Sequence, residues 1–220
     1  MLGRLGAEVI DSDLLARDVV APGTPGLAAV IAAFGSQVRG TDGGLDRSEL
    51  ASIVFADQEA RRRLEGITHP LVRAEFERRR DAATSGVVVN DIPLLRTLAL
   101  AADYHLVVGI GAAEETRIER LADRGLAEAD ARSRIQSQIA DEQRRSLSDV
   151  WVDNDGTADD LRERVRGLWV ERLLPFRENL AAHRRAPRTG PAVLLDPDPR
   201  WPVLATLLAA RISAAAGGLP

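Results

Sequence analysis

Asp11-Ser12-Asp13 brings two carboxylates together, and Arg17 follows Asp13 at the i,i+4 spacing, so on a helix Asp13 and Arg17 share a face. Two readings fit. In one, Asp13 accepts a hydroxyl proton or helps position a metal, while Arg17 grips a phosphate or hydroxyl. In the other, which spacing alone favours, the group is a helix cap followed by a surface ion pair. Asn90-Asp91 closes the apolar run Val87-Val88-Val89. At the carboxyl edge of a parallel strand, Asp91 can hold the hydration shell of Mg²⁺, or it forms an Asx turn. Arg117, Arg120, Arg124, Arg132, Arg134, Arg144 and Arg145 crowd two helical segments. They either clamp a transferring phosphoryl group from a mobile lid or pair on a solvated face with Glu114, Glu115, Glu119, Glu128 and Glu142. His69, beside Pro70, is a cap or core residue by usual standards and a substrate contact otherwise.

Composition narrows the chemistry. All 29 basic side chains are arginine, and the chain has no Lys and no Cys. Without Cys there is no disulfide framework and no thiolate-bound zinc. Without Lys there is no Schiff-base lysine and no intact Walker A loop, whose Lys reaches the β/γ-phosphates. A net charge of −4 gives no overall field for nucleic acid. No run approaches the ~20 uninterrupted apolar residues of a membrane span. Residues 1–8 include Arg4 and Glu8 and lack an apolar signal core, so the expectation is a cytoplasmic protein with neither nucleic acid nor membrane as partner. Trp151, Trp169 and Trp201 read as core or docking residues, and Gly109-Ile110-Gly111 is too short for a nucleotide fingerprint.

Several elements must position these groups. Residues 7–10 form a strand pattern, and 14–20 a helix capped by Asp11, Ser12 or Asp13. A turn at 21–26 precedes a helix over 27–34, residues 40–44 form a loop with the look of a hairpin tip, and Asp46 or Ser48 opens a helix through Phe55. A long helical region over 58–83 should kink or restart at His69-Pro70, because proline lacks the amide hydrogen; Leu71 and Phe76 would cover its core side. Residues 86–91 and 104–110 read as buried parallel strands, 112–124 and 128–145 as helices, 150–154 as a strand, and 157–184 as a helix broken at Pro175. Strands near Val9, Val88, Val107 and Val152 alternate with helices, which predicts an α/β fold: a parallel sheet flanked by helices, with right-handed crossovers. Residues 185–191 look like a linker, and the remainder is too short for a core of its own.

Taken together, the segments resemble the dephospho-coenzyme A kinase family over about residues 2–186. The markers are Val9-Ile10-Asp11-Ser12-Asp13-Leu14-Leu15-Ala16-Arg17, Val20-Ala21-Pro22-Gly23-Thr24, Phe34-Gly35, Gly44-Leu45-Asp46-Arg47, Val54-Phe55-Ala56-Asp57, Thr68-His69-Pro70-Leu71, Ile92-Pro93-Leu94-Leu95, residues 129–138, and Asp153-Asn154-Asp155-Gly156. The resemblance implies a P-loop kinase fold with a helical acceptor region and a lid, and transfer of phosphate from Mg²⁺-ATP to the ribose 3′-hydroxyl of dephospho-CoA. It implies Asp13 as the base for that hydroxyl, Arg17 and His69 on the acceptor side, Arg120, Arg124 and Arg144 in the lid, Asn154 beside the adenine, and Asp11 and Asp91 near the metal through water.

Two departures stand out. The family's Pro-Leu-Leu segment is followed by Glu-Asn, whereas here Arg96-Thr97-Leu98 follow. The family also opens with a central strand, a Gly-rich loop ending in Lys-Ser/Thr and most of a helix; here Met1 to Leu5 resembles that helix's last turn, and about twenty residues of the pattern are missing. One account is a functional start upstream of Met1; the other is a kinase-inactive protein that binds CoA or dephospho-CoA at most. Residues 1–186 are then a kinase-like domain without its first strand, and 187–220 a linker and a fragment whose Val193-Leu194-Leu195-Asp196-Pro197-Asp198-Pro199-Arg200-Trp201-Pro202 resembles the opening of a GrpB-like domain.

Overall fold

The computed structural model describes residues 1–93 and 97–183, apart from the side chain of Leu98. The chain divides into two compact units, Met1–Pro93 and Leu94–Pro220. The linker at 185–191, the tail after it, and Leu94, Leu95 and Arg96 lie outside the described residues.

In the first unit, β1 (Glu8–Asp11) pairs in parallel with β2 (Val88–Asp91). The chain passes directly from β1 into α1 (Ser12–Asp18), because the Asp11 carboxylate accepts from the Leu14 amide at 3.0 Å and satisfies an orphan first-turn donor. Thr24 caps α2 (Pro25–Phe34) with Pro25 in its first turn, and Asp46 caps α3 (Arg47–Ala56). Between them, Arg39 and Leu45 form an antiparallel bridge around a tip where Gly43 takes φ +80, so the hairpin tip expected at 40–44 is present. Val20, Val30, Phe34, Val38, Leu50 and Ala60 form the core of these helices. Leu15, Val30 and Val38 are fully buried, each stabilising the unit by about 1.5–3 kcal/mol. Gly26 is required where the Val19 carbonyl lies against the start of α2, since a Cβ there would collide with it.

The restart that was one of the two expectations at His69-Pro70 does not occur: α4 (Gln58–Ala82) is one continuous helix with Pro70 inside it. Proline removes a single amide donor, while α4 packs against α1, α2 and α3, and that packing outweighs one lost hydrogen bond. Leu71 reaches toward Gly26 of α2; it and Phe76 are half-buried.

In the second unit, β3 (Val108–Gly111) pairs in parallel with β4 (Val150–Asp153). The four strands are those read from the sequence, joined in two parallel pairs among the described residues. Pairing starts at Val108 rather than at Tyr104. The amide of Val107 instead donates to Asp149 at 2.7 Å, and Val107 is buried with Ala101 and Leu147. A short helix, α5 (Leu98–Ala102), capped by Thr97, precedes this cluster and was not expected. After β3 comes α6 (Glu114–Ala122). The single helix expected over 128–145 is two, α7 (Glu128–Gln136) and α8 (Asp141–Ser146). At the break the Ser137 hydroxyl donates to the Arg134 carbonyl at 2.8 Å, a side-chain bond that competes with helix continuation, and α8 restarts on acidic Asp141 and Glu142. Beyond β4, α9 (Ala158–Leu168) runs through a wide π-turn over Trp169–Leu173 into α10 (Leu174–Ala181). Pro175 falls in the first turn of α10, directly after the wider turn, so the expected break is a change of helix type and not an end of the run.

Candidate active site

The first group of candidate residues stands where β1 and β2 end. Their register sets Asp11 opposite Asp91 at the carboxyl edge, where open α/β sheets present ligand sites. Asp11 spends one carboxylate oxygen on the helix cap. The Ser12 hydroxyl donates to Asn90 Oδ1 at 2.7 Å and ties the start of α1 to β2. Asp13 sits in the first turn of α1 and Arg17 in its last, each at the helix end whose dipole suits its charge. Both are exposed, and among the described residues neither side chain makes a hydrogen bond or ion pair. The bland alternative therefore splits: the cap belongs to Asp11, and no Asp13–Arg17 ion pair forms. His69 is exposed on α4, mid-helix rather than at a helix end, and likewise without a partner. Among the described residues no cluster of three or more His, Asp or Glu side chains is arranged to hold a metal.

The second group lies in the other unit. Arg120 on α6 donates from Nη1 to the Asn154 carbonyl at 2.6 Å and from Nη2 to the Gly156 carbonyl at 3.0 Å. The Asn154 amide donates to the Gly111 carbonyl at 2.7 Å, and the Ala113 amide to Asp155 at 2.6 Å. The segment after β4 is thus fixed to the end of β3 and to α6. It runs into α9 through a reciprocal cap in which the Thr157 hydroxyl and amide hold the Asp160 carboxyl below its ordinary pKa.

Arg124 contributes to a concave pocket of about 340 Å³ shared by α6 and the segment that includes α7, lined by Arg117, Arg120, Leu121, Arg134, Ile135 and Gln138 beside it. Arg124 and Arg134 are exposed and unpaired among the described residues. Arg117 lies 3.5 Å from Asp141, and its Nε is buried without a hydrogen-bond partner. A concave surface lined by four arginines and no acidic residue, with Arg124 and Arg134 unpaired among the described residues, suits an anionic ligand. The sequence places Arg117, Arg120 and Arg124 at i, i+3 and i+7, a helical stripe, but the contribution of Arg134 and Gln138 depends on how α7 packs.

Arg144 is committed elsewhere: it pairs with Asp141 at 2.9 Å, donates to the Ile110 carbonyl and lies 5.2 Å from the Trp151 ring centroid. Arg145 lies 4.3 Å over the same ring and bonds Asp153 at 3.1 Å, and the Trp151 indole donates to that carboxylate at 2.9 Å. Gly109 and Gly111 make room for the indole, since a Cβ on either would collide with it. Their spacing reflects that packing.

Parallel strand pairs flanked by helices, with candidate chemistry at the carboxyl ends of β1 and β2, define an α/β protein. The family model described as dephospho-CoA kinase matches residues 1–160, and the chain belongs to that family. A dephospho-CoA kinase of Mycobacterium tuberculosis is 48% identical over 218 residues, covering 96% of this chain and 52% of that protein. The Mycolicibacterium paratuberculosis protein of the same name is 46% identical over 217 residues, again with 96% and 52% coverage. The chain thus spans about half the length of these relatives. One from Frankia casuarinae is 49% identical over 173 residues, 78% of this chain and 76% of its own. Among solved structures, a Thermus thermophilus chain superimposes with a TM-score of 0.65 at 27% identity, over 78% of this chain and 87% of that one. The dephospho-CoA kinase of Campylobacter jejuni gives 0.56 at 24%, over 77% and 88%, a likeness of fold.

Proposed function

We propose that this chain carries the acceptor and lid portions of a dephospho-CoA kinase, which transfers the γ-phosphoryl of ATP to the ribose 3′-hydroxyl of dephospho-CoA. The observation that carries the reading is α1: in a member of this family, Asp13 and Arg17 stand unpaired on one helix face beside the carboxyl edge of β1 and β2. Asp13 accepts the proton of the 3′-hydroxyl as its oxygen attacks the γ-phosphorus and ADP leaves. Arg17 orients the acceptor, and His69 lies on its side. Arg120 fixes the segment containing Asn154 beside the adenine. Arg124, with Arg117 and Arg134, receives phosphate charge in the pocket between helices, while Arg144 ties α8 to β3 and the Trp151 ring.

Mg²⁺ neutralises charge on the β- and γ-phosphates when bound. Such an ion is usually held by one or two carboxylates with waters and substrate oxygens, and here Asp91 and the Asp11 oxygen not used by the cap would hold it. None of the 220 residues is a lysine, so the phosphate-loop lysine of this kinase class must come from residues outside them. The same lysine-free composition favours a second reading, a protein that binds CoA or dephospho-CoA without turnover.

In the protein supplied with a phosphate loop, Asp13→Asn is expected to lower kcat by about 10²–10⁴ while the KM for dephospho-CoA changes little. Steady-state kinetics decides this: a raised KM with unchanged kcat rejects Asp13 as the base.

A further inference from the structure

The face of α1 bearing Asp13 and Arg17 is bare, yet the helix is held firmly on its other sides. Its seven residues are too few to persist as an isolated helix, so its orientation comes from tertiary contacts. At the start, Asp11 caps it and Ser12 bonds Asn90. In the middle, Leu15 is fully buried. At the end, the Asp18 carboxylate accepts from Arg79 Nη2 at 2.8 Å, across 61 residues of sequence. Arg79 is itself aimed: its Nε donates to Glu75 Oε1 at 2.8 Å, one turn earlier on α4. Glu75 also takes a two-pronged contact from Arg78, at 2.7 Å on each oxygen. The Arg79 and Glu75 side chains are 32% and 22% exposed, whereas Arg78 is 65% exposed and bonds Glu75. A planar guanidinium that satisfies two carboxylates at once is a geometric fixture that a single ammonium cannot copy.

We propose that Arg79 is a positioning residue: through Asp18 it fixes the last turn of α1, which carries Arg17, and so sets the grip on the acceptor. This inference rests on the proposed kinase reading. The two ends of α1 have separate tethers, so loosening the Asp18 end should disturb Arg17 and leave the first turn, with Asp13, in place.

The test uses the 220-residue chain, with dephospho-CoA binding followed by titration calorimetry and amide hydrogen exchange measured along α1. Arg79→Gln and Asp18→Asn are each expected to weaken binding about tenfold and to speed exchange in the last turn of α1 but not in its first. The double variant should be no weaker than Arg79→Gln, because both changes cut one link. Arg79→Lys should recover part of the binding. Should Arg79→Gln not fold, Asp18→Asn, which leaves the Glu75–Arg79 pair in place, carries the test. Additive losses, unchanged exchange, or faster exchange with unchanged affinity each overturn the proposal. Wild-type protein that binds no dephospho-CoA overturns the acceptor grip of these 220 residues, while exchange still reports on the tether alone.

Discussion

Arg120 and Arg132 occupy neighbouring helices among acidic residues, and sequence alone treats them alike. Arg132 is spent on Glu114 and Glu128 at 3.0 and 2.9 Å with about half its side chain in water. Arg120 is half-buried and bonds two backbone carbonyls of the segment that follows β4. Two charge-assisted bonds to the backbone of one segment, one of them half-buried, cost more to lose than a screened surface pair. Thermal unfolding should show Arg120→Ala destabilised by about 1–3 kcal/mol, with Arg132→Ala unchanged within error; equal effects would show that the 154–156 segment does not depend on Arg120. Glu75 allows a prediction in pH. Hydrogen bonds from Arg78 and then Arg79 hold its pKa at about 2, against an ordinary 4.5. A carboxylate depressed in the folded state adds stability that is fully present above its unfolded pKa and is lost as pH falls through the folded one. Stability of the wild type should therefore decline from about pH 4.5 toward pH 2, and the decline should be shallower in Glu75→Gln. Urea unfolding across that range measures it, and parallel curves would reject the pairing.

At the scale of elements, the sequence was most legible where local chemistry decides. Asp11, Thr24, Asp46 and Thr157 are caps because their oxygens reach first-turn amides, and each lies at or beside an expected helix start. It was least legible where packing decides. Pro70 sits inside a continuous helix, since contacts with three other helices hold α4 together across a missing donor. Ser137 divides what looked like one helix, because charge periodicity does not register a hydroxyl competing for the Arg134 carbonyl. The glycines of β3 serve the Trp151 ring on the neighbouring strand, a pairing invisible before the register is known. One consequence is measurable. Pro70 is exposed and its ring is a burden inside a helix, so Pro70→Ala should raise the melting temperature, corresponding to a gain of up to about 3 kcal/mol. A lower melting temperature would mean that α4 relies on a proline-shaped backbone beside His69.

For the whole molecule, alternation of strands and helices was enough to expect an α/β fold with parallel strands, and family resemblance extended that to a kinase. Grouping of the strands was not available, because β1–β2 and β3–β4 join residues about eighty and forty positions apart, and hydrophobic pattern marks strands without naming partners. Candidate residues were legible as types and positions; their freedom was not. The availability of Asp13 and Arg17 follows from Asp11 taking the cap, and the commitment of Arg144 follows from Asp141, Ile110 and Trp151. The lysine-free composition sets the remaining requirement: on the proposed reading the 220 residues carry the acceptor and lid portions, and the phosphate-loop cation is not among them. The most direct test is ATP-dependent formation of the 3′-phosphorylated product from dephospho-CoA, followed by mass spectrometry, for the 220 residues alone and for the chain extended in frame through a Gly-rich loop ending in Gly-Lys-Ser/Thr. The account predicts product from the extended protein and none from the 220 residues. Turnover by the lysine-free chain, or an extended protein that binds both substrates and makes no product, would contradict it.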